Sequence, residues 1–159
     1  MQIGFNMNNL AQIIINKILT DVPRIMSDLQ QERFANQGQF NDNPKWVDNA
    51  QDVINDKGHN QPMVDSGNLE KELSNPKNWD LNPSFTNNTL KLSIPEYEKF
   101  TEPKYDILET GGYSPSYISK RGNKMKAREI PAREFKKISD MDFDWIVDKL
   151  VQDLKSEFE

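Results

Sequence analysis

The sequence predicts an α+β domain, with N-terminal and C-terminal helices packed on a small, mainly antiparallel sheet and a long basic loop between them. Three observations point there. Leu10, Ile13, Ile14 and Ile18 recur at helical spacing near the start, and Phe143, Ile146, Val147, Leu150, Leu154 and Phe158 do so near the end. Between them, Thr89-Leu90-Lys91-Leu92-Ser93-Ile94 alternates with the period of a half-buried strand. At 159 residues the chain reads as one domain, 1–159, with a flexible loop at about 112–129.

The first helix is expected over Met7–Phe34, with Asn8 or Asn9 available as a cap. Pro23 interrupts it. Either the helix kinks there, or a second one starts with Pro23 in its first turn and Thr20 or Asp21 as cap. Ile25, Met26, Leu29 and Phe34 continue the stripe. Ala35–Pro44 is polar and rich in Asn and Gln, hence a loop. Trp46 then anchors a satellite of the core. A weak helix is expected around Ala50–Ile54, and a short one through Leu69 and Leu73, capped by Asp65 or Ser66.

Two strands are expected, at Trp79–Leu81 and Thr89–Ile94, joined through Phe85–Asn88. Glu96–Lys104 is a polar connector. Tyr105–Leu108 opens a short ordered element that Gly111 and Gly112 stop. Tyr113–Glu129 has no period and reads as an irregular basic loop, mobile and open to protease in an isolated subunit. After it, Arg133 and Phe135 alternate in sense, so one faces outward and the other the core. Ser139 is placed to cap the closing helix through the Asp142 N–H, and Asp140 and Asp142 oppose the positive end of its dipole. The apolar stripe of that helix should lie on the sheet.

Net charge is −5 and mean hydropathy is −0.82. The charge is unevenly spread. Residues 120–137 hold eight basic and two acidic side chains, a net +6 that leaves −11 for the rest. Such a balance suits self-association or docking as readily as nucleic-acid binding. There is no cysteine, so disulfides, thiol nucleophiles and Cys-based zinc sites are excluded. The N-terminus lacks signal-peptide features, and the longest apolar run, Ile13-Ile14-Ile15, falls far short of a membrane span. His59 is the single histidine and has no ligand-spaced neighbour, which gives Ser-His catalysis and metal binding little support. No catalytic residue, metal ligand or cofactor is expected. Paired carboxylates for a hydrolase stay open, since Asp and Glu are numerous, though no pair stands out.

Lys120, Arg121, Lys124, Lys126, Arg128 and Arg133 are the candidate partner-binding residues. Their partner is either an acidic protein surface or, with Tyr113 and Tyr117 stacking, a nucleic acid bound by segment 113–137.

Several sparse features occur in a fixed order: the N-terminal amphipathic helix, Lys45-Trp46, Ser66-Gly67-Asn68-Leu69, a hairpin, Tyr105 to Gly111, a variable loop, and Pro131-Ala132-Arg133-Glu134-Phe135 before a helix opened by a Ser. This order resembles the virion morphogenesis and tail-completion proteins of tailed bacteriophages, the Mu-like family related to head–tail connector proteins. The chain departs at Glu134, where a second Pro is often seen, and at Leu108-Glu109, where a His-containing pair is common. The resemblance makes Trp46, Ser66, Gly67, Leu69, Gly111, Pro131 and Phe135 structural motif positions. It implies a non-enzymatic phage or prophage part, a tail-completion or head–tail joining subunit forming a ring at the capsid–tail junction. By the same resemblance the protein belongs to the virion, is made in the bacterial host cytoplasm, and meets copies of itself and other tail or connector proteins. A weak contact with DNA is a further expectation, and contact with a membrane is not expected.

Overall fold

In the computed structural model, which describes residues 7–63, 68–79, 82–86, 89–93, 103–135 and 137–158, the first and last helices pack on each other. The class is α+β, with five α-helices and three two-stranded antiparallel pairs among the described residues. Helix α1 is Met7–Ala35, α2 Gln51–Lys57, α3 Asn68–Leu73, α4 Pro103–Thr110 and α5 Asp140–Phe158. Strands are β1 Asn82–Thr86, β2 Thr89–Ser93, β3 Gly112–Ser114, β4 Tyr117–Ile118, β5 Lys124–Met125 and β6 Arg128–Ile130.

Helix α1 runs unbroken through Pro23. The helix also contains Asn8 and Asn9, so neither precedes it as a cap. Its second half supplies more of the core than any other described element: Val22, Ile25, Met26, Leu29 and Phe34 are buried together with Leu69, Leu73, Trp79, Phe135 and Ile146. The closing helix therefore lies on α1 where a sheet was expected. The sheets are too small to serve: β3 to β6 are two or three residues long. Ion pairs show that the two helices are antiparallel, since Arg33 meets Asp142, Arg24 meets Asp153 and Lys17 meets Glu157, the last at 3.2 Å. The outer pairs are solvent-exposed and contribute little each.

The inner pair is different. Arg33 and Asp142 are both essentially inaccessible to solvent. Ser139 Oγ accepts the Asp142 N–H at 3.1 Å, and Asp142 Oδ2 accepts the Ser139 N–H at 3.0 Å, a reciprocal capping box closed by Asp. The same carboxylate accepts from the Asn43 side chain at 2.8 Å, the Asn41 side chain at 2.9 Å and the Arg33 guanidinium. Arg33 and Gln30 both donate to the Phe135 carbonyl at 3.2 Å. One buried carboxylate thus ties the end of α1, the loop after it and the start of α5.

The expected apolar stripe of α5 is split. Ile146 is buried and Leu150 half-buried against α1, with Trp145 edge-on to Phe40 at 5.5 Å. Phe143 and Val147 are exposed, because α1 covers only one flank of a broad stripe. The side chain of Phe158 lies outside the described residues.

Trp46 is buried and meets Phe34 edge-on at 5.0 Å. Gly38, at φ +93°, lets the chain reverse there: a Cβ would lie 2.6 Å from the indole ring. Helix α2 is longer than expected and ends at Gly58. The strand expected at Trp79–Leu81 starts later, with β1 pairing β2 from Asn82↔Ser93 to Thr86↔Thr89. A 3-10 turn at Pro76–Asn78 precedes it, and the Trp79 indole N–H donates to the Leu73 carbonyl at 2.8 Å, drawing Trp79 into the core. Phe85 and Thr86 belong to β1, while Asn87 and Asn88 lie outside the described residues, as do Leu81, Ile94, most of the 96–104 connector and the expected caps Asp65 and Ser66. No described helix is long and apolar enough to cross a membrane.

Asp142→Asn is expected to destabilise the chain by about 3–5 kcal/mol, because Arg33 would remain buried with its charge unbalanced. Ile146→Ala should cost about 2–5 kcal/mol and Phe143→Ala under about 0.5 kcal/mol. Urea denaturation measures all three; equal costs for Ile146 and Phe143 would contradict the packing described.

Candidate functional site

The segment expected to be an irregular basic loop is a nested ribbon. Strand β3 pairs β6 (Gly112↔Ile130, Ser114↔Arg128), and β4 pairs β5 inside it (Tyr117↔Met125, Ile118↔Lys124). Two- and three-residue strands are too short to show a period, which is why the sequence reads as loop.

Helix α4 ends at Gly111, whose φ is +76° and whose added Cβ would lie 2.9 Å from Ile130 O and Ala132 N. Only glycine fits that crossing. It lets the strand leaving the ribbon run directly under α4: the Arg133 N–H donates to Leu108 O at 2.9 Å, and the Phe135 N–H to Glu109 Oε2 at 2.8 Å. Arg133 and Phe135 are both buried, where one was expected to face outward. Residues two apart on an extended chain share a face, so a single environment takes both. Arg133 is accommodated because its guanidinium donates to the Val47 carbonyl at 3.0 and 3.1 Å. Burial lowers its pKa from the ordinary value, and the nearby Asp48 charge opposes that shift.

The ribbon is clasped by α2. Asp52 and Asp56 stand one turn apart on that helix and face the ribbon. Asp52 takes both terminal nitrogens of Arg128, one at 2.7 Å, and the Lys126 N–H at 3.0 Å. Arg128, then the Lys126 N–H, hold the Asp52 carboxyl down from 3.8 to about 2. Asp56 accepts from Asn123 at 2.6 Å, Ser119 at 2.7 Å and Arg121 at 3.3 Å. Those bonds, led by Asn123 and Ser119, also lower its pKa.

Helix and ribbon enclose a cleft of about 580 Å³. Its walls include the apolar Val47, Val53, Met63, Leu108, Met125 and Pro131, and its polar lining includes Lys57, Lys120, Arg121 and Arg133. Arg128 and Arg133 are thus engaged within the chain, and Arg121 reaches Asp56, whereas the Lys120, Lys124 and Lys126 side chains are exposed beside exposed Tyr113, Tyr117 and Ile118. The expectation that Arg121 and Arg128 serve a partner is therefore corrected to this extent: both meet carboxylates of α2 within the chain. Asp52 and Asp56 were missed at the sequence level. Their i, i+4 spacing is visible, but nothing local names a partner more than sixty residues away.

Among the motif positions, Trp46, Leu69 and Phe135 are buried, Gly111 makes the crossing just described, and Pro131 lines the cleft. Ser66 and Gly67 lie outside the described residues, as does Lys136. His59 accepts the Gln61 N–H at 3.2 Å through Nδ1. No group of metal-binding side chains occurs among the described residues. A carboxylate held by a guanidinium gives up its proton readily, the opposite of what a general acid needs, so Asp52 and Asp56 do not suit the acid role of a glycosidase-like pair. Comparison with protein-family models, curated protein sequences and solved structures found no match.

Because the folded pKa of Asp52 lies below its ordinary value, its contribution is complete above the ordinary value of 3.8 and is lost as pH falls through about 2. Asp52→Asn should open the ribbon at neutral pH and raise the rate of trypsin cleavage within Lys120–Lys126 by about tenfold, as expected when a charge-assisted bond worth about 1.5 kcal/mol is lost. An unchanged cleavage rate would mean that the clasp does not hold the ribbon.

Proposed function

We propose that the protein is a structural subunit of a tailed-bacteriophage or prophage particle, a tail-completion or head–tail joining part that assembles as a ring with copies of itself. The observation that carries this reading is the convergence of sparse motif positions on one frame. Trp46, Leu69, Gly111 and Phe135 are far apart in sequence, yet each is a buried anchor or an obligatory close approach. That frame displays a ribbon whose exposed edge combines Tyr113, Tyr117 and Ile118 with Lys120, Lys124 and Lys126. Apolar and cationic groups side by side suit an acidic protein neighbour, and the body of the next copy is acidic: outside 120–137 the chain carries −11. A contact between unlike patches, ribbon on body, is heterologous and closes a ring when the rotation allows.

A second reading is a nucleic-acid-binding module. Exposed Tyr113 and Tyr117 near the lysines favour it, since aromatic faces stack bases while cations neutralise phosphates.

Removing the subunit from its particle is expected to leave separate heads and tails in negative-stain micrographs. The wild-type chain should restore joining, and Lys120→Glu/Lys124→Glu/Lys126→Glu should fail while melting like wild type. Complete particles in its absence would overturn the structural reading. Duplex binding with a steep salt dependence, lost in the triple variant, would select the nucleic-acid reading.

A further inference from the structure

The closing helix carries apolar side chains that nothing among the described residues covers. Phe143 is 60% exposed, Val147 39% and Val151 41%. They follow at four-residue steps and form a ridge along α5, beside the flank that Ile146 turns toward α1. A contiguous apolar ridge on a polar chain marks a contact surface. Asp144 and Lys155 border this ridge on the edge away from α1. They stand about three helical turns apart on that same edge. Neither has a charged partner among the described residues.

We propose that the ridge pairs with the same ridge of a second copy, the two α5 helices running antiparallel about a two-fold axis. The charges choose this occupant and this direction. Antiparallel pairing that sets Val147 against Val151 of the second copy also sets Asp144 beside Lys155 of the second copy, and symmetry repeats both contacts. Parallel pairing about a two-fold would instead set this edge of one copy beside the α1-side flank of the other, leaving Asp144 and Lys155 apart. The edge is self-complementary in one direction only, as an isologous interface requires. The apolar ridge supplies the attraction, and the exposed charge pairs fix register and direction more than strength. With three ridge side chains per copy, the dimer is weak and concentration-dependent. The inference stands on α5 alone and does not depend on the proposed function.

Sedimentation of the full chain over about 1–500 µM tests it, a range suited to a small interface. The mass should rise from 18.5 kDa toward twice that value. Asp144→Lys alone and Lys155→Asp alone should each weaken dimerisation by about tenfold, and the double swap should restore it to within about threefold. Val147→Asp should leave a monomer whose melting curve overlays that of wild type. A monomer at every concentration overturns the proposal. So does a dimer indifferent to Val147→Asp, or one that the double swap fails to restore, because another surface or partner would then be responsible.

Discussion

The fold is closed by a single buried carboxylate. Asp142 caps the helix that contains it, neutralises a buried guanidinium and accepts two side-chain amides from the loop that follows α1. Burial pushes its pKa up. The Ser139 N–H, the Asn43 and Asn41 amides and the Arg33 charge together outweigh that, and the net direction is down. A capping bond alone contributes about 1 kcal/mol. Leaving a buried guanidinium without a counter-charge costs several times more, so the pair is hard to break from either side. Replacing both partners by well-packed apolar residues need not destabilise, because much of the Coulomb gain offsets desolvation. The network's distinct contribution is register: it sets where α5 starts relative to the end of α1.

That register governs everything downstream. The strand entering α5 is held through the Phe135 carbonyl by Arg33 and Gln30, and through the Phe135 N–H by Glu109. Two residues back, Arg133 is held by α4 and by Val47. The base of the ribbon is thereby fixed to the core, and its outer half is held by Asp56 of α2 through Ser119, Arg121 and Asn123. The two attachments differ in kind. The inner one is dry and charge-balanced, while the Asp56 to Arg121 contact is open to solvent and screened by salt. A rigid root with a more weakly held tip suits a surface that presents itself to a partner.

How much of this could be read beforehand depended on range. The Ser139 cap was legible because its chemistry is complete within three residues. Asp142's role in neutralising Arg33 was not, because its partners Arg33, Asn41 and Asn43 are about a hundred residues away. The α5 stripe was legible as apolar, but which flank is covered depends on where α1 lies, so Phe143 and Ile146 look alike in sequence and end in opposite environments. Trp79 was read as strand from its type, whereas its indole N–H needed an acceptor and found Leu73. The clustering of positive charge was plain at the sequence level. That Arg121 and Arg128 engage carboxylates of α2 within the chain was not, since α2 is a seven-residue helix with a weak pattern. The motif positions were legible only as an ordered set; Gly111 shows why one of them is glycine, in the close approach of Ile130 and Ala132.

A carboxyl-carbon NMR titration of Asp142 in the full chain tests the central claim most directly. With its folded pKa below the ordinary 3.8, Asp142 stabilises the fold above that value and loses the effect as pH falls through the folded pKa. The account predicts that Asp142 stays ionised below pH 3.8 and takes up its proton together with the loss of α1–α5 packing. Protonation at or above 3.8 while the two helices remain packed would contradict it.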